Sequence, residues 1–340
     1  MSSAALAAAV MLAPAASAFD CAKASTDTEK AICADPAAKA ADDAMTAAYE
    51  ALLSKMQGEQ AAMLKASQRA WLKLREQNCG WQETAAEKAA CLVEKTTQRA
   101  DYLSAKPASG PGFGDSPALV PHLSAHDFGK GKCSSEVSLY RFAGAAGDGG
   151  EKVFNGWVDD LAKNLENDYG GYAEGDLPEG MACEYSAGAV ITYASPDLVA
   201  MNVSIYMFGG GAHGNSTANS ITLDRKTGKA LLFSDVFGPD ATKALTAKCA
   251  EGIKAAKYER FAESGSKEEV EQLVAGDMTN YAEAIGAGVS DFNNWLIYED
   301  RAEVYFPPYA LGSYAEGDYT CAIPKADLQA ASGAKGWIVP

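Results

Sequence analysis

The distribution of cysteine residues constrains the fold of this chain more than any other feature. The 340 residues include eight cysteines, four before residue 100 and four after it. An even number favours disulfide bonds in an oxidising compartment, and no spacing has the CxxC pattern of a zinc site. A chain of this length is expected to form about two domains. We therefore predict two disulfide-bonded domains, with Cys21, Cys33, Cys79 and Cys91 in the first and Cys133, Cys183, Cys249 and Cys321 in the second.

The first 18 residues have the features of an export signal. A short apolar stretch, 4–16, leads into Ala16-Ser17-Ala18, which is a small-x-small cleavage sequence. The stretch lacks the usual preceding Lys or Arg, and it is too short to span a bilayer. No lipid-attachment pattern precedes Cys21. We predict a signal peptide over 1–18, cleavage after Ala18, and a periplasmic mature chain that does not insert into the membrane.

Acidic residues are concentrated in the later part of the chain. Segment 19–105 has 11 basic and 13 acidic residues, whereas 106–340 has 18 basic and 32 acidic residues, for a formal net charge of -16. This balance argues against nucleic acid or an anionic membrane as a partner and favours a basic macromolecule. The alternative is that the acidity only keeps an exported protein soluble.

Segment 19–105 reads as a small helical domain. Asp35 and Pro36 form a helix start, and apolar residues then recur at helical spacing up to Gly58. Further helices are predicted over 59–78 and 84–103. We expect the first two long helices to form an antiparallel hairpin, which favours nested disulfides: Cys33–Cys79 inside Cys21–Cys91. Four cysteines allow three pairings, so this is a geometric preference.

The composition changes after residue 105. Segment 106–121 is rich in Pro, Gly and Ser, as in a linker. Beyond it, alternating apolar residues predict strands at 135–142, 189–193, 198–208 and 220–223, with a returning strand at 231–233. Helices are predicted over 154–165, 239–261 and 267–285, and further strands over 295–324. The prediction is an α+β two-domain protein: a disulfide-bonded all-α helical hairpin domain, then an α+β domain over 122–340 with an antiparallel sheet and the bridges Cys133–Cys183 and Cys249–Cys321.

Nothing in the sequence has the pattern of a catalytic centre. It contains no GxSxG, P-loop or HExxH motif, and its three histidines are His122, His126 and His213. The first two are spaced by four residues, but Pro121 and the nearby Gly and Ser residues argue against the helix that a metal site would need. We therefore predict a protein that is not an enzyme and that needs neither a metal nor a cofactor.

Three loops are candidates for contact with a partner. The first, FGGGAHGN at 208–215, follows a strand and provides flexible backbone for a recognition loop or anion cradle; a tight turn with a locally hydrogen-bonded His213 is the favoured alternative. The second, 305–314, and the third, 169–179, combine tyrosines with prolines or glycines, and rigid aromatic residues are effective interface anchors. The alternative for 305–314 is that its tyrosines only cover the core, and the alternative for 169–179 is that it is simply a mobile surface loop. The candidate contact residues are Gly209, Gly210, Gly211, His213, Asn215, Pro308, Tyr309, Tyr314 and Tyr172.

The first domain resembles the LprI-type lysozyme-inhibitor family. The resemblance rests on the four cysteines in family order, on FDCAKA at 19–24 and EKAIC at 29–33, and on QRAWLKLR at 68–75, with Arg99 near the end. It covers most of 19–105 and implies lysozyme inhibition.

The second domain is similar to the extracellular domain of the RsiV anti-sigma factor and to the accessory region of some peptidoglycan deacetylases, a domain of the DUF3298 type. The matching features are FGGGAHGN, the turn at 224–229 with FSDVF at 233–237, and the segments 305–314 and 323–328. Of these two relatives, the RsiV anti-sigma factor is a lysozyme receptor. The chain lacks its sigma-binding and transmembrane segments and any deacetylase domain, so signalling and deacetylation are not implied.

The two resemblances imply the same partner, a basic enzyme. We therefore expect a periplasmic protein that binds lysozyme and inhibits it by covering its substrate cleft with the loops at 209–215 and 307–314. The alternative is an envelope module that holds peptidoglycan strands on these aromatic loops and has no lysozyme target.

Overall fold

The computed structural model describes 19–114, 119–128, 133–143, 149–170 and 183–339, with the backbone alone for 124–128, 133–134 and 165–170. The predicted signal peptide and the loop residue Tyr172 lie outside the described residues. The chain divides into two units, the first ending at Ser104 and the second beginning at Ala105.

The first unit consists of helices whose ends are set by side-chain caps. Thr26 and Glu29 form a capping box at the first helix, and Thr84 and Glu87 form another at the fourth. Asp35 caps the second helix by accepting from the Ala38 N–H, with Pro36 at the first helical position, as predicted. The helices are α1 (Asp27–Ala34), α2 (Pro36–Leu53), α3 (Gly58–Gly80) and α4 (Ala85–Leu103).

Buried charged side chains join α2, α3 and α4. The Arg75 guanidinium on α3 donates to Asp42 on α2 at 2.9 Å and to Thr96 on α4 at 3.0 Å. Arg99 on α4 donates to Gln68 on α3 at 3.0 Å. Ile32, Leu64 and Leu92 are buried apolar side chains of the same unit. The unit is therefore held together by specific polar contacts as well as by a small apolar core, since an unpaired buried charge would be strongly destabilising.

The nested disulfide prediction is wrong. The structure pairs Cys21 with Cys33 and Cys79 with Cys91, each across 12 residues of sequence. Two features explain the difference. The break at Asp35 and Pro36 places Cys33 at the end of a separate helix, α1, and not at the start of a long one. The closest helix packing is also between α2 and α4, so α2 and α3 do not form the expected hairpin.

The second unit has an α+β fold with two sheets. The larger sheet has the strand order β1 (Leu119–Phe128), β2 (Cys133–Phe142), β3 (Cys183–Ala194), β4 (Leu198–Phe208), β5 (Asn215–Asp224) and β6 (Lys229–Ala230). The smaller sheet is antiparallel and contains β7 (Trp295–Ile297), β8 (Arg301–Phe306) and β9 (Tyr319–Pro324).

The α+β prediction with an antiparallel sheet is confirmed by the smaller sheet, whereas the larger sheet is mixed. Strands β2 and β3 are parallel, with Ser135 opposite Tyr185 and Ser138 opposite Gly188. Helix α5 (Gly150–Gly170) lies between these strands in sequence, and parallel neighbours need such a crossover connection. The returning strand is also shorter and earlier than predicted, because a helical turn, α6 (Phe233–Val236), begins where a strand was expected.

Helices cover the smaller sheet to form the main core of the second unit. These are α7 (Ala241–Arg260), α8 (Lys267–Asn280), α9 (Ala282–Ser290) and α10 (Lys325–Ser332). Trp295 is fully buried at its centre and donates from its indole nitrogen to Val289 O at 3.0 Å. The predicted bridge Cys249–Cys321 is confirmed and fastens α7 to β9.

The predicted bridge between Cys133 and Cys183 falls partly outside the described side chains. Cys183 is disulfide-bonded, and the backbone register of β2 and β3 places Cys133 directly opposite it. The Cys133 side chain is not among those that the structure describes, so this pairing remains a prediction.

The Pro- and Gly-rich segment 106–121 lies within the second unit. Its Ala108 N–H donates to Ile191 O at 2.8 Å, and its Gly112 N–H donates to Ala194 O at 3.0 Å. The hydroxyl of Ser109 donates to Thr192 O at 2.7 Å. This stretch therefore follows the end of β3 that β2 does not reach, and the backbone groups there are satisfied.

Candidate functional site

Two loops of the second unit bring three aromatic side chains together. His213 lies on the β4–β5 connection, and Tyr309 and Tyr314 lie on the β8–β9 connection. The His213 and Tyr314 rings are stacked, with centroids 3.6 Å apart and planes 13° apart. Tyr309 and Tyr314 are 5.6 Å apart. We call these three residues the aromatic cluster; they were predicted as contact residues, and the fold places them side by side.

Hydrogen bonds fix the imidazole of His213. Its Nδ1 lies 2.9 Å from Gly214 O, and its Nε2 lies 3.2 Å from the Tyr309 hydroxyl. This arrangement fits the tautomer in which Nδ1–H donates to the carbonyl and Nε2 accepts from the phenol. The local hydrogen bond that we favoured for His213 is therefore present, and the ring also joins the two loops.

Backbone conformation at the cluster depends on glycine. Gly210 and Gly211 have φ values of 88° and 110°, which side chains rarely allow. Gly214 is close to the Tyr206 ring, since an added Cβ would lie 2.4 Å from three of its atoms. The glycine run thus lets the loop turn and lets Tyr206 pack beneath it.

Tyr309 combines backbone strain with exposure. Its φ is 73°, in the left-handed region that favours glycine, and its side chain is 55% exposed. Strained non-glycine residues persist where the surrounding structure holds them, and they concentrate at binding and catalytic sites. The turn that holds it is closed by the Ala310 N–H, which donates to Pro307 O at 3.0 Å. Pro308 lies next to Tyr309 in this turn.

A buried charged network supports the loop that contains Tyr314. The Glu316 carboxylate accepts from the Ser313 N–H at 2.7 Å, from the Tyr319 hydroxyl at 2.8 Å and from the Lys257 ammonium at 2.8 Å. Lys257 has no exposure to solvent and also donates to Asp277 at 2.7 Å. Because these four hydrogen bonds converge on Glu316 and Lys257, the loop is anchored to α7 and α8.

The network shifts the pKa values of both charged groups. Burial by itself would lower the pKa of Lys257, but the hydrogen bonds to Asp277 and Glu316 outweigh it and the pKa is raised. Burial would raise the pKa of Glu316, but the hydrogen bonds from Lys257, Ser313 and Tyr319 prevail and lower it. Both groups are therefore charged at neutral pH.

A cleft of about 520 Å³ lies beside the aromatic cluster, between the larger sheet and the smaller one. Tyr206 lines it, and burial raises the pKa of its phenol, with a smaller contribution from the Glu184 carboxylate. The remaining lining residues are Ser186, Gly188, Asn202, Ser204, Ile205, Ser216, Thr217, Ala218, Leu296, Tyr305 and Asp318.

The first unit has an exposed aromatic surface of its own. Trp81 follows α3 and is 86% exposed, the highest value among the large apolar side chains that the structure describes. It borders a shallow hollow beside the Cys79–Cys91 bridge, which Glu87, Glu94 and Lys95 also line. Leu74, two turns earlier on α3, is 50% exposed.

Several of these residues were missed at the sequence level. Tyr206, Lys257 and Trp81 gave no local signal, because their roles depend on contacts between distant segments. Glu316 could have been found, since Ser313 and Glu316 form a capping box three residues apart. Gly209 and Asn215 were predicted as contact residues and lie at the two ends of the β4–β5 connection, where their part in binding remains a prediction.

The described residues contain no group of His, Cys, Asp or Glu side chains arranged to hold a metal ion. In that same part of the chain, no helix has both the length and the apolar character needed to cross a membrane.

Comparisons with known families match a segment of each unit. Residues 21–103 match the model of a family described as lysozyme inhibitor LprI. Residues 234–326 match the model of a family described as a protein of unknown function, DUF3298. These matches confirm the two resemblances inferred from the sequence.

Solved structures of the DUF3298 family are similar to this chain. One, from Bacteroides fragilis, has 15% identity and a TM-score of 0.41. The match spans 64% of this chain and 93% of the Bacteroides chain. Another, from Pseudomonas aeruginosa PAO1, has 16% identity and a TM-score of 0.41. The match spans 64% of this chain and 94% of the Pseudomonas chain. No curated protein matches the chain.

Proposed function

We propose that this protein acts in the cell envelope, where it binds lysozyme and inhibits it. The observation that carries the proposal is the match of 21–103 to the LprI lysozyme-inhibitor family, which supports lysozyme inhibition at the family level. The disulfides in both units support an oxidising, extracytoplasmic location. A signal peptide over 1–18 would direct the chain there, and cleavage after Ala18 would release the mature protein.

The mechanism we propose is steric and not catalytic. The aromatic cluster would enter or cover the substrate cleft of lysozyme, with Tyr309 as the most prominent side chain. Three features support this: Tyr309 is exposed, its ring is held by His213, and its loop is anchored through Glu316. A loop that is ordered before binding loses little conformational entropy on binding, so more of its contact energy contributes to affinity.

The hollow beside Trp81 is our proposed second contact, on the unit that carries the family match. Exposed tryptophan is rare on monomeric surfaces and is enriched among residues that dominate binding energy. Glu87 and Glu94 at its border would face a basic partner. Acidic residues in both units would mainly raise the association rate and make it sensitive to salt.

The test is inhibition of c-type, g-type and i-type lysozymes by the purified chain beginning at Phe19, with cell-wall lysis and calorimetry measured in parallel. We expect one type to be bound and inhibited. The double variant Tyr309→Ala/Tyr314→Ala should bind that lysozyme at least tenfold more weakly, about 1.4 kcal/mol. Leu232→Ala is the matched control, since Leu232 is 57% exposed and lies outside the cluster.

Each outcome has a defined meaning. Binding to none of the three types would reject the proposed function. Inhibition that the double variant retains in full would reject the aromatic cluster as the blocking element and move the contact to the surface around Trp81. Binding without suppression of lysis would reject inhibition while keeping lysozyme as the partner.

A further inference from the structure

The cleft between the two sheets of the second unit has polar walls of unusual composition. One wall is a face of the larger sheet, on which Ser186 and Gly188 of β3 lie beside Ser204 of β4 and Ser216 of β5. Gly188 and Ser204 are exposed, whereas the alternate residues of β3 are buried. The opposite wall is formed by Leu296, Tyr305 and Asp318. Hydroxyl groups therefore face an open space of about 520 Å³, a volume typical of small-ligand sites.

Two tyrosine hydroxyls of the cleft make no hydrogen bond to any residue that the structure describes. Within the described part of the chain, neither Tyr206 nor Tyr305 has a hydrogen-bond partner for its phenol, although both rings are partly buried. Burial raises the pKa of each phenol, so both remain protonated donors at neutral pH. Each ring also offers an apolar face beside its polar edge. Asn202 lies at the base of the cleft, is 6% exposed, and donates from its amide nitrogen to the Ser220 hydroxyl at 2.9 Å.

The charge of the lining limits what the cleft can hold. No Lys, Arg or His is present among the described residues that line it, and its single charged group is the Asp318 carboxylate. An anionic ligand such as a phosphate would meet no compensating charge there. Serine hydroxyls both donate and accept, as sugar hydroxyls do, and thus suit a ligand that carries many hydroxyl groups.

We propose that this cleft binds a neutral oligosaccharide, with the sugar hydroxyls paired to the serines that line it and the sugar rings packed against Tyr206 and Tyr305. This activity goes beyond lysozyme binding and does not depend on it. The protein could then bind a glycan through the cleft while the neighbouring aromatic cluster remains available to a protein partner.

Glycine at 188 provides a way to block the cleft without disturbing its walls. An added Cβ at Gly188 would meet no atom within 4 Å, so Gly188→Phe should place a ring in the open space. Gly252 on α7 has equally open surroundings and does not line the cleft, which makes Gly252→Phe the matched control. Tyr305→Phe removes a single hydroxyl and serves as a second, milder variant.

The experiment is a titration of the full mature chain with tri-N-acetylchitotriose, which is neutral, and with the corresponding free-amine trimer, which is cationic. Calorimetry and NMR would report binding, and circular dichroism would verify folding. We expect saturable binding of the neutral trimer, little change with salt, at least tenfold weaker binding to Gly188→Phe, and a smaller loss with Tyr305→Phe. Gly252→Phe should bind like the wild type.

Three results would overturn the proposal. The first is no saturable binding of the neutral trimer up to about 10 mM, which is weaker than a specific site of this size should be. The second is equal binding by Gly188→Phe and the wild type, which would place the sugar elsewhere. The third is binding of the free-amine trimer alone, abolished by Asp318→Asn, which would make the cleft a cation site. Lysozyme is absent from the titration, so these results do not bear on inhibition.

Discussion

The ammonium group of Lys257 lies 2.8 Å from the carboxylate of Glu316, and the lysine side chain is completely shielded from solvent. This contact joins the last turn of α7 to the loop that holds Tyr314. A buried lysine is tolerated only where acidic partners compensate its desolvation, and here Asp277 is the second partner. The stability of the domain and the shape of its aromatic surface are therefore linked through one residue.

Replacing Lys257 by Met should lower the free energy of unfolding by about 3 kcal/mol, because it removes the ammonium group that both half-buried carboxylates, Asp277 and Glu316, contact. Urea denaturation followed by circular dichroism measures the change. Lys254→Met, one turn earlier on the same helix and exposed, is the control and should alter stability by less than about 0.5 kcal/mol. Equal effects of the two substitutions would show that the buried network does not stabilise the fold.

The carboxyl group of Glu29 should titrate far below its ordinary pKa of 4.5, at about 2. The N–H groups of Thr26 and Ser25 and the Ser25 hydroxyl donate to its ionised form, which favours that form. A lowered pKa in the folded state means that the capping contact is fully present above pH 4.5 and is lost as the pH falls toward 2.

Carbon-13 NMR of the Glu29 carboxyl group across this pH range measures that titration. The lowered pKa should persist at 0.5 M salt, since direct hydrogen bonds are screened far less than long-range charge effects (~4 Å Debye length). A midpoint near 4.5 at low salt would contradict the capping geometry of α1.

Gly214→Ala should be destabilising by about 1–3 kcal/mol, because the new methyl group would overlap the Tyr206 ring. Thermal unfolding and NMR shifts of the aromatic cluster would report the change. The added replacement Tyr206→Ser should recover part of the loss by removing the ring that the methyl group strikes. Gly188→Ala, where the added atom meets open space, is the matched control and should be close to neutral. A similar loss from both alanine variants would contradict the close approach of Gly214 to Tyr206.

The disulfide pairing can be checked by mass spectrometry of peptides from the unreduced chain. We expect Cys21 linked to Cys33 and Cys79 linked to Cys91. Paired replacement by Ser at Cys21 and Cys33 should cost about 3 kcal/mol of stability, because the bridge closes a loop of only 12 residues.

Removing Cys249–Cys321 in the same way should cost more, about 4 kcal/mol, because it closes a span of 72 residues. Detection of a cross-linked peptide that joins Cys33 to Cys79 would contradict these pairings and support the nested arrangement. The reverse order of the two stability losses would contradict the loop-length argument for these bridges.

The limits of the sequence-level prediction follow from how far each signal reaches. The start of α2 was predictable because Asp35 and Pro36 are local signals, and β3 was partly predictable because its burial alternates. The pairing of Cys33 with Cys21 was not predictable in this way, since it depends on α2 packing along α4. The parallel β2–β3 pair likewise depends on topology and not on composition.

The candidate site shows the same division. The glycine run and the tyrosine-rich segment were visible as unusual local sequences, but nothing local indicated that His213 would stack on Tyr314, about 100 residues later. Lys257 looked like any exposed lysine on a helix, and only the fold reveals that it is buried. Trp81 gave no local signal either, and only the fold reveals that it is 86% exposed.

Tyr309 allows backbone strain and side-chain contact to be separated. Glycine at this position removes the Cβ that the left-handed conformation disfavours by roughly 1–2 kcal/mol, whereas alanine keeps it. We therefore expect Tyr309→Gly to be at least as stable as Tyr309→Ala, although glycine normally destabilises relative to alanine by about 0.5–1 kcal/mol. Thermal unfolding of the two variants makes this comparison.

The proposed function adds a second expectation for the same pair. Both variants lack the ring that is proposed to contact lysozyme, so both should inhibit it at least several-fold more weakly than the wild type, to the same extent. Lysis assays with matched protein concentrations measure this. If Tyr309→Gly inhibited as well as the wild type while Tyr309→Ala did not, the backbone turn and not the ring would be the element that binds. Equal and undiminished inhibition by both would remove Tyr309 from the proposed interface, because an exposed anchor cannot be deleted from a binding surface without loss of affinity.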